Sequence, residues 1–193
     1  IHGARMDKES CVFLTDALSE NTSLKSLYFG QTGMKRGALL RLADFLLVNE
    51  TLENFDVGSA APSLDAVEKF IRILASNSSL KHVAVSTGFF FDEGDIDEQD
   101  FVESDDEEVI NDDREQECYR NLVKMLERNA TLHFVELPWQ SSFRPNFDLE
   151  EKTMYYLRLN QIGRKKMLSE LSRGTGRDFW VEALIDNRRA IFW

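Results

Sequence analysis

One short block, Asn-x-Ser/Thr-Leu, recurs four times in this chain and constrains its fold more than any other feature. The copies are Asn21-Thr22-Ser23-Leu24, Asn49-Glu50-Thr51-Leu52, Asn77-Ser78-Ser79-Leu80 and Asn129-Ala130-Thr131-Leu132. The first three follow one another at 28 residues, and the fourth comes 52 residues after the third. A fixed period of this length describes a stack of like units, none of which can bury its apolar side alone.

Aligning the copies gives apolar columns. Leu24, Leu52, Leu80 and Leu132 form the first, Leu27, Phe55, Val83 and Val135 the second, and Phe29, Val57, Val85 and Leu137 the third. Alternation across the last two predicts a short strand with one buried face. Upstream, four further columns begin at Cys11, Leu14, Thr15 and Leu18, and offsets of three, one and three residues mark one face of a helix. Each unit is therefore helix, tight turn, strand and loop. Stacked units give a parallel sheet with strands roughly 4.8 Å apart and right-handed crossovers, and the wider helices curve the stack so that strands line its concave side.

The segments Leu24-Lys25-Ser26-Leu27-Tyr28-Phe29, Leu132-His133-Phe134-Val135-Glu136-Leu137 and Gly37-Ala38-Leu39-Leu40-Arg41-Leu42-Ala43 resemble leucine-rich repeats of the ribonuclease-inhibitor-like subclass over residues 4–140. The resemblance implies an α/β solenoid, a right-handed βα horseshoe, closed by a C-terminal helical cap. Residues 155–164 also look similar to tails of diatom-type leucine-rich-repeat proteins. One departure stands out. The subclass's asparagine after the strand would fall at Thr32, Ala60, Gly88 and Gln140, so its usual ladder is missing. The asparagines of the repeated block are also formal glycosylation sequons, but the stronger reading is structural, with each ending a helix in the left-handed region.

The net charge of −11 is a local effect. Residues 92–117 hold fifteen Asp and Glu against Arg114, so the remainder is slightly basic. This run fills the extra length before the fourth helix and reads as a solvated loop. Its spacing lacks the third, fifth and sixth positions of a calcium loop, Gly94, Ile96 and Asp97 being wrong for it. Ser104, followed by acids, is a possible phosphorylation site. Phe89-Phe90-Phe91 would anchor the loop or form a docking patch.

The repeat stops after Trp139, dividing the chain into a repeat domain over 1–143 and a helical cap or extension over 144–193, since the end of a stack exposes its core. Within the extension, Asp148 to Glu151 open a helix, Asn160 and Gly163 end or kink it, and Arg164, Lys165, Lys166, Arg173 and Arg177 form a basic cluster. Without a recognition spacing, that cluster reads as a solvated or salt-bridging face and not a nucleic-acid site. The start at Ile1 and the apolar end Ile191-Phe192-Trp193 lead to the expectation that this is part of a longer array.

Cys11 and Cys118 with His2, His82 and His133 give no metal spacing, and no cofactor is expected. No apolar run suits a membrane span. Two thiols suit a reducing compartment, cytoplasmic or nuclear. Without a nucleophile elbow, phosphate loop or paired carboxylates, the expectation is a monomeric, non-catalytic scaffold binding a protein partner, a basic one included, by the strand face or acidic loop. The expected contact residues are Ser26, Tyr28, Asn54, Asp56, His82, Phe134 and Glu136, with Trp139 at the rim. Two alternatives stay open. One is a Ran-type GTPase activator with Arg36 as its catalytic arginine, and the other is a ligand-sensing fragment of a receptor.

Overall fold

The computed structural model describes residues 8–30, 34, 36–60, 63–87, 112–139 and 143–172. Helix and strand alternate through α1 (Lys8–Glu20), β1 (Ser26–Phe29), α2 (Arg36–Phe45), β2 (Asn54–Ala60), α3 (Leu64–Ser76), β3 (His82–Thr87), α4 (Asp112–Leu126) and β4 (Phe134–Glu136). Two helices follow, α5 (Phe147–Gln161) and α6 (Arg164–Ser172). The acidic run thus ends inside a helix, because residues 112–117 are the first turns of α4.

The strands form one parallel sheet in chain order, β1-β2-β3-β4. Its register is set by the sequence period, with Leu27 opposite Phe55, Phe55 opposite Val83 and Val83 opposite Val135. The third column extends this with Phe29 opposite Val57 and Val57 opposite Val85. Past Val57 the register slips, and Ala60 pairs with Thr87 and bridges to Met34.

The apolar columns become the core. Leu52, Leu80 and Leu132 are buried, and so are the helix columns Cys11/Leu39/Val67/Tyr119 and Leu18/Leu46/Leu74/Leu126. Phe55 sits at the centre, with the rings of Phe29, Phe45 and Phe70 at 6.4, 6.0 and 6.0 Å. Offset and edge-on pairs at these distances add about 0.5–1.5 kcal/mol each beyond burial. Only one face of the sheet is packed by helices in this way, so the alternate strand residues look outward.

The turn asparagines correct one expectation. Asn77 is extended, φ −75° and ψ 128°, and not left-handed. Its amide instead joins neighbouring units. The Nδ2 group donates to Leu46 O and Asn49 O of the preceding unit at 2.9 and 3.2 Å. Its Oδ1 accepts from the N–H groups of Ser79 and Leu80 at 3.0 and 2.9 Å. Asn49 and Asn129 repeat the pattern one unit earlier and one later. The ladder missing after the strands is therefore built before them.

A fourth rung comes from outside the repeated block. Asn160 Nδ2 donates to Asn129 O and Leu132 O at 3.0 and 2.8 Å, while Gln161 Nε2 donates to His133 O at 2.9 Å. The two side chains take carbonyls of the last turn, the region that bonds to the next unit elsewhere in the stack. Here the chain turns away through Gly163, at φ 96°, into α6. Asn160 Oδ1 consequently stays buried with no hydrogen-bond partner among the described residues.

Candidate functional site

The outward face of the sheet carries two rows of side chains set by strand alternation. One row runs Ser26, Asn54, His82, Phe134 and the other Tyr28, Asp56, Ala84, Glu136, each residue opposite its neighbour on the next strand. Seven of the eight expected contact residues are thus brought onto one surface. In the first row Asn54 Nδ2 donates to Ser26 Oγ at 2.9 Å. The His82 ring lies flat on Phe134, 4.5 Å between centroids and 10° between planes. The face is mainly polar, with two large aromatic side chains, Tyr28 53 % and Phe134 40 % exposed.

The eighth residue, Trp139, sits elsewhere. It is half-buried against Tyr119 of α4 and Phe143, with ring centroids 5.5 and 5.0 Å away, and it closes an aromatic cluster beside the core. Burial pushes the Tyr119 phenol above its ordinary pKa. Ser104, Phe89-Phe90-Phe91, most of the acidic run, Arg173, Arg177 and the apolar end lie outside the described residues.

This architecture is similar to two solved structures. Leiomodin-1 actin-binding site 2 aligns with a TM-score of 0.56 at 18 % identity, over 89 % of this chain and 84 % of that one. The tropomodulin C-terminal domain from Caenorhabditis elegans aligns with a TM-score of 0.58 at 13 % identity, over 89 % of this chain and 88 % of that one. No protein-family model and no curated protein matches the chain.

These neighbours correct the expected family. The fold goes with the tropomodulin and leiomodin domains in place of ribonuclease-inhibitor-like leucine-rich-repeat proteins, the diatom-type ones included. The general α/β class, with a four-stranded parallel sheet, stands. The physical reason is plain. A 28-residue period fixes the βα unit and the strand register, but it is blind to what distinguishes one group of such proteins from another. The discordant signal was already present in Thr32 and Ala60, where the expected subclass would place asparagine.

Ion pairs link the helices on the opposite side. Arg36, which opens α2, is bound by Asp65 of α3. Arg114 of α4 reaches the same Asp65 at 3.5 Å and Glu68 at 3.4 Å. Lys69 pairs with Asp44 at 2.6 Å. Glu53 is held between Lys81 at 2.6 Å and Lys25 at 3.7 Å, and its carboxyl pKa is lowered, chiefly by the hydrogen bond from Lys81. Arg164 Nη1 donates to Leu126 O at 2.9 Å and the guanidinium rests over Tyr156, so the basic cluster begins with a structural residue that closes the C-terminus of α4.

The buried thiol of Cys118 is pushed up to about 11 by desolvation and by Glu68, 3.5 Å away, which makes it a poor nucleophile. The described residues contain no cluster of His, Cys, Asp and Glu able to hold a metal. Among them, no helix is long and apolar enough to cross a membrane. Sequence reasoning missed one surface, an open groove along α5 lined by Phe147, Met154, Tyr155 and Leu159 with Lys152 and Arg158. Met154, Tyr155, Leu157 and Leu159 are apolar in the sequence, but nothing in their spacing tells an outward face from an inward one.

Proposed function

We propose that this chain is a protein-binding domain that takes its partner on the open face of the four-stranded sheet. The observation that carries this is the pair of large exposed rings, Tyr28 and Phe134, on opposite outer strands of a face otherwise made of Ser, Asn, Asp, His, Ala and Glu. Exposed aromatics framed by polar groups are the side chains that concentrate binding energy in protein interfaces. The role is non-catalytic. Arg36, which a GTPase-activating reading needs free, is engaged by Asp65. Free Cys11 and Cys118 suit action in the cytoplasm or nucleus.

The likeness to a leiomodin-1 actin-binding site makes actin the first partner to assay. The test is co-sedimentation with filaments and binding to monomeric actin, for the chain as given and for Tyr28→Ala/Phe134→Ala. Saturable binding that weakens at least about tenfold in the double variant is the expected result. Actin binding that ignores both substitutions would place the contact away from the sheet. No binding in either format would remove actin as the partner and leave the face to be tested with other proteins.

A further inference from the structure

The middle of the sheet face narrows the chemistry of what it binds. Asp56, Ala84 and Glu136 stand side by side on β2, β3 and β4. Strands are about 4.8 Å apart, so the two carboxylates flank Ala84 at a backbone separation of roughly 9.6 Å. Ala84, 5 % exposed and only a methyl deep, forms the floor between them. One step along the strands, the His82–Phe134 stack forms a wall. Neither the Asp56 nor the Glu136 carboxylate has a hydrogen-bond or ion-pair partner among the described residues, and neither row carries a Lys or Arg. Lys25 and Lys81, just before their strands, are tied to Glu53.

Resting on the reading of this face as the binding surface, we propose that its centre takes an arginine side chain from a basic segment of a protein partner. A guanidinium seated over Ala84 lies within side-chain reach of both carboxylates, and its planar fork can donate to each. Its flat surface also suits the part of the Phe134 ring that His82 leaves open. A lysine offers a point charge without the fork, so the face should rank arginine above lysine and lysine above a neutral residue. The match is one of charge as well as shape, since the face supplies two negative groups and no positive one.

The probe is a displayed library of random short peptides, selected on the intact chain in moderate salt and in parallel on two variants. Asp56→Asn/Glu136→Gln removes the charges with little change of shape, and Tyr28→Ala/Phe134→Ala removes the rings. All three chains keep the acidic run 92–117, so its general attraction for cations cancels in the comparison. Melting curves establish that each variant folds. The expected result is arginine enrichment on the parent chain that disappears on the charge variant. The best peptide should bind about tenfold more weakly after either Arg→Ala in the peptide or loss of the two carboxylates in the protein. Selected peptides that need the rings but not the carboxylates would overturn the arginine proposal and leave the face as the binding surface. Peptides indifferent to both variants, or no selection at all, would sink the face and the proposal together.

Discussion

Asn49 makes four hydrogen bonds to backbone groups with one side-chain amide. Its Nδ2 serves Leu18 O and Asn21 O, and its Oδ1 takes the N–H groups of Thr51 and Leu52. The residue is 5 % exposed, so these bonds form largely out of reach of water, and the N–H groups of Thr51 and Leu52 rest on its Oδ1. Asn21, first in the column, shows only the local half of the pattern among the described residues, accepting from Ser23 and Leu24. The two positions look alike in the sequence and should differ in energy. Asn49→Ala should cost about 2–4 kcal/mol and Asn21→Ala about 1 kcal/mol, read as shifts of the urea midpoint at constant slope. Equal losses would mean that the bonds between units contribute nothing. The sequence announced that this column mattered but misplaced its work. A helix end in the left-handed region and a side chain reaching into the preceding unit both favour Asn, and a single chain does not separate them. Asn160 was harder still, because it lacks the Ser/Thr-Leu that follows the other four and stands 31 residues after Asn129 in place of a full repeat.

At the scale of elements, strands and helices were legible wherever an apolar column held and illegible where charge stood in for pattern. Leu27, Phe55, Val83 and Val135 were aligned by spacing alone and are paired in the sheet. The acidic run was bounded by counting carboxylates, and that count ran six residues into α4, whose first turns do structural work. Arg114 joins α4 to Asp65 and Glu68. Gln116 donates to Arg144 O at 2.8 Å and accepts from Asn146 N at 3.2 Å, fixing the start of α5. Glu115 is buried. Two deletions separate insertion from helix. Removing residues 92–111 should leave the melting temperature within a few degrees, since loop length enters closure entropy only logarithmically, at about 0.6 kcal/mol per doubling. Removing 92–117 should cost more, about 2–4 kcal/mol, because it takes away the first turns of α4 with buried Glu115 as well as these surface contacts. Binding studies of the acidic run therefore need the shorter deletion, because the longer one confounds loss of charge with loss of fold. Indistinguishable melts for the two would show that the contacts of Arg114 and Gln116 do not support α4.

For the molecule as a whole, a stack of units has two ends, and each must satisfy the groups a further unit would have taken. At the β4 end the work falls to α5 and α6. Asn160 takes Asn129 O and Leu132 O, Gln161 takes His133 O, and Arg164 takes Leu126 O. Leu157 and Leu159 add apolar cover. The helical cap or extension expected from residue 144 onward contains this closure, so a chain ending at 143, where the repeat pattern stops, would lose it. We propose that residues 144–172 complete the stack and are needed for the sheet face to keep its shape. A chain of residues 1–143 should lose roughly 3–5 kcal/mol, and its β4 amides should exchange with solvent far faster than those of β2. A chain of residues 1–172 should be more stable than 1–143 and should restore the protection of the β4 amides. Phe134 and Glu136 lie on β4, so the shorter chain should lose partner binding through its loosened edge strand with every contact residue still present. If 1–143 melts and exchanges like the intact chain, α5 and α6 are an appended module, and the carbonyls of Asn129, Leu132 and His133 are as well served by water.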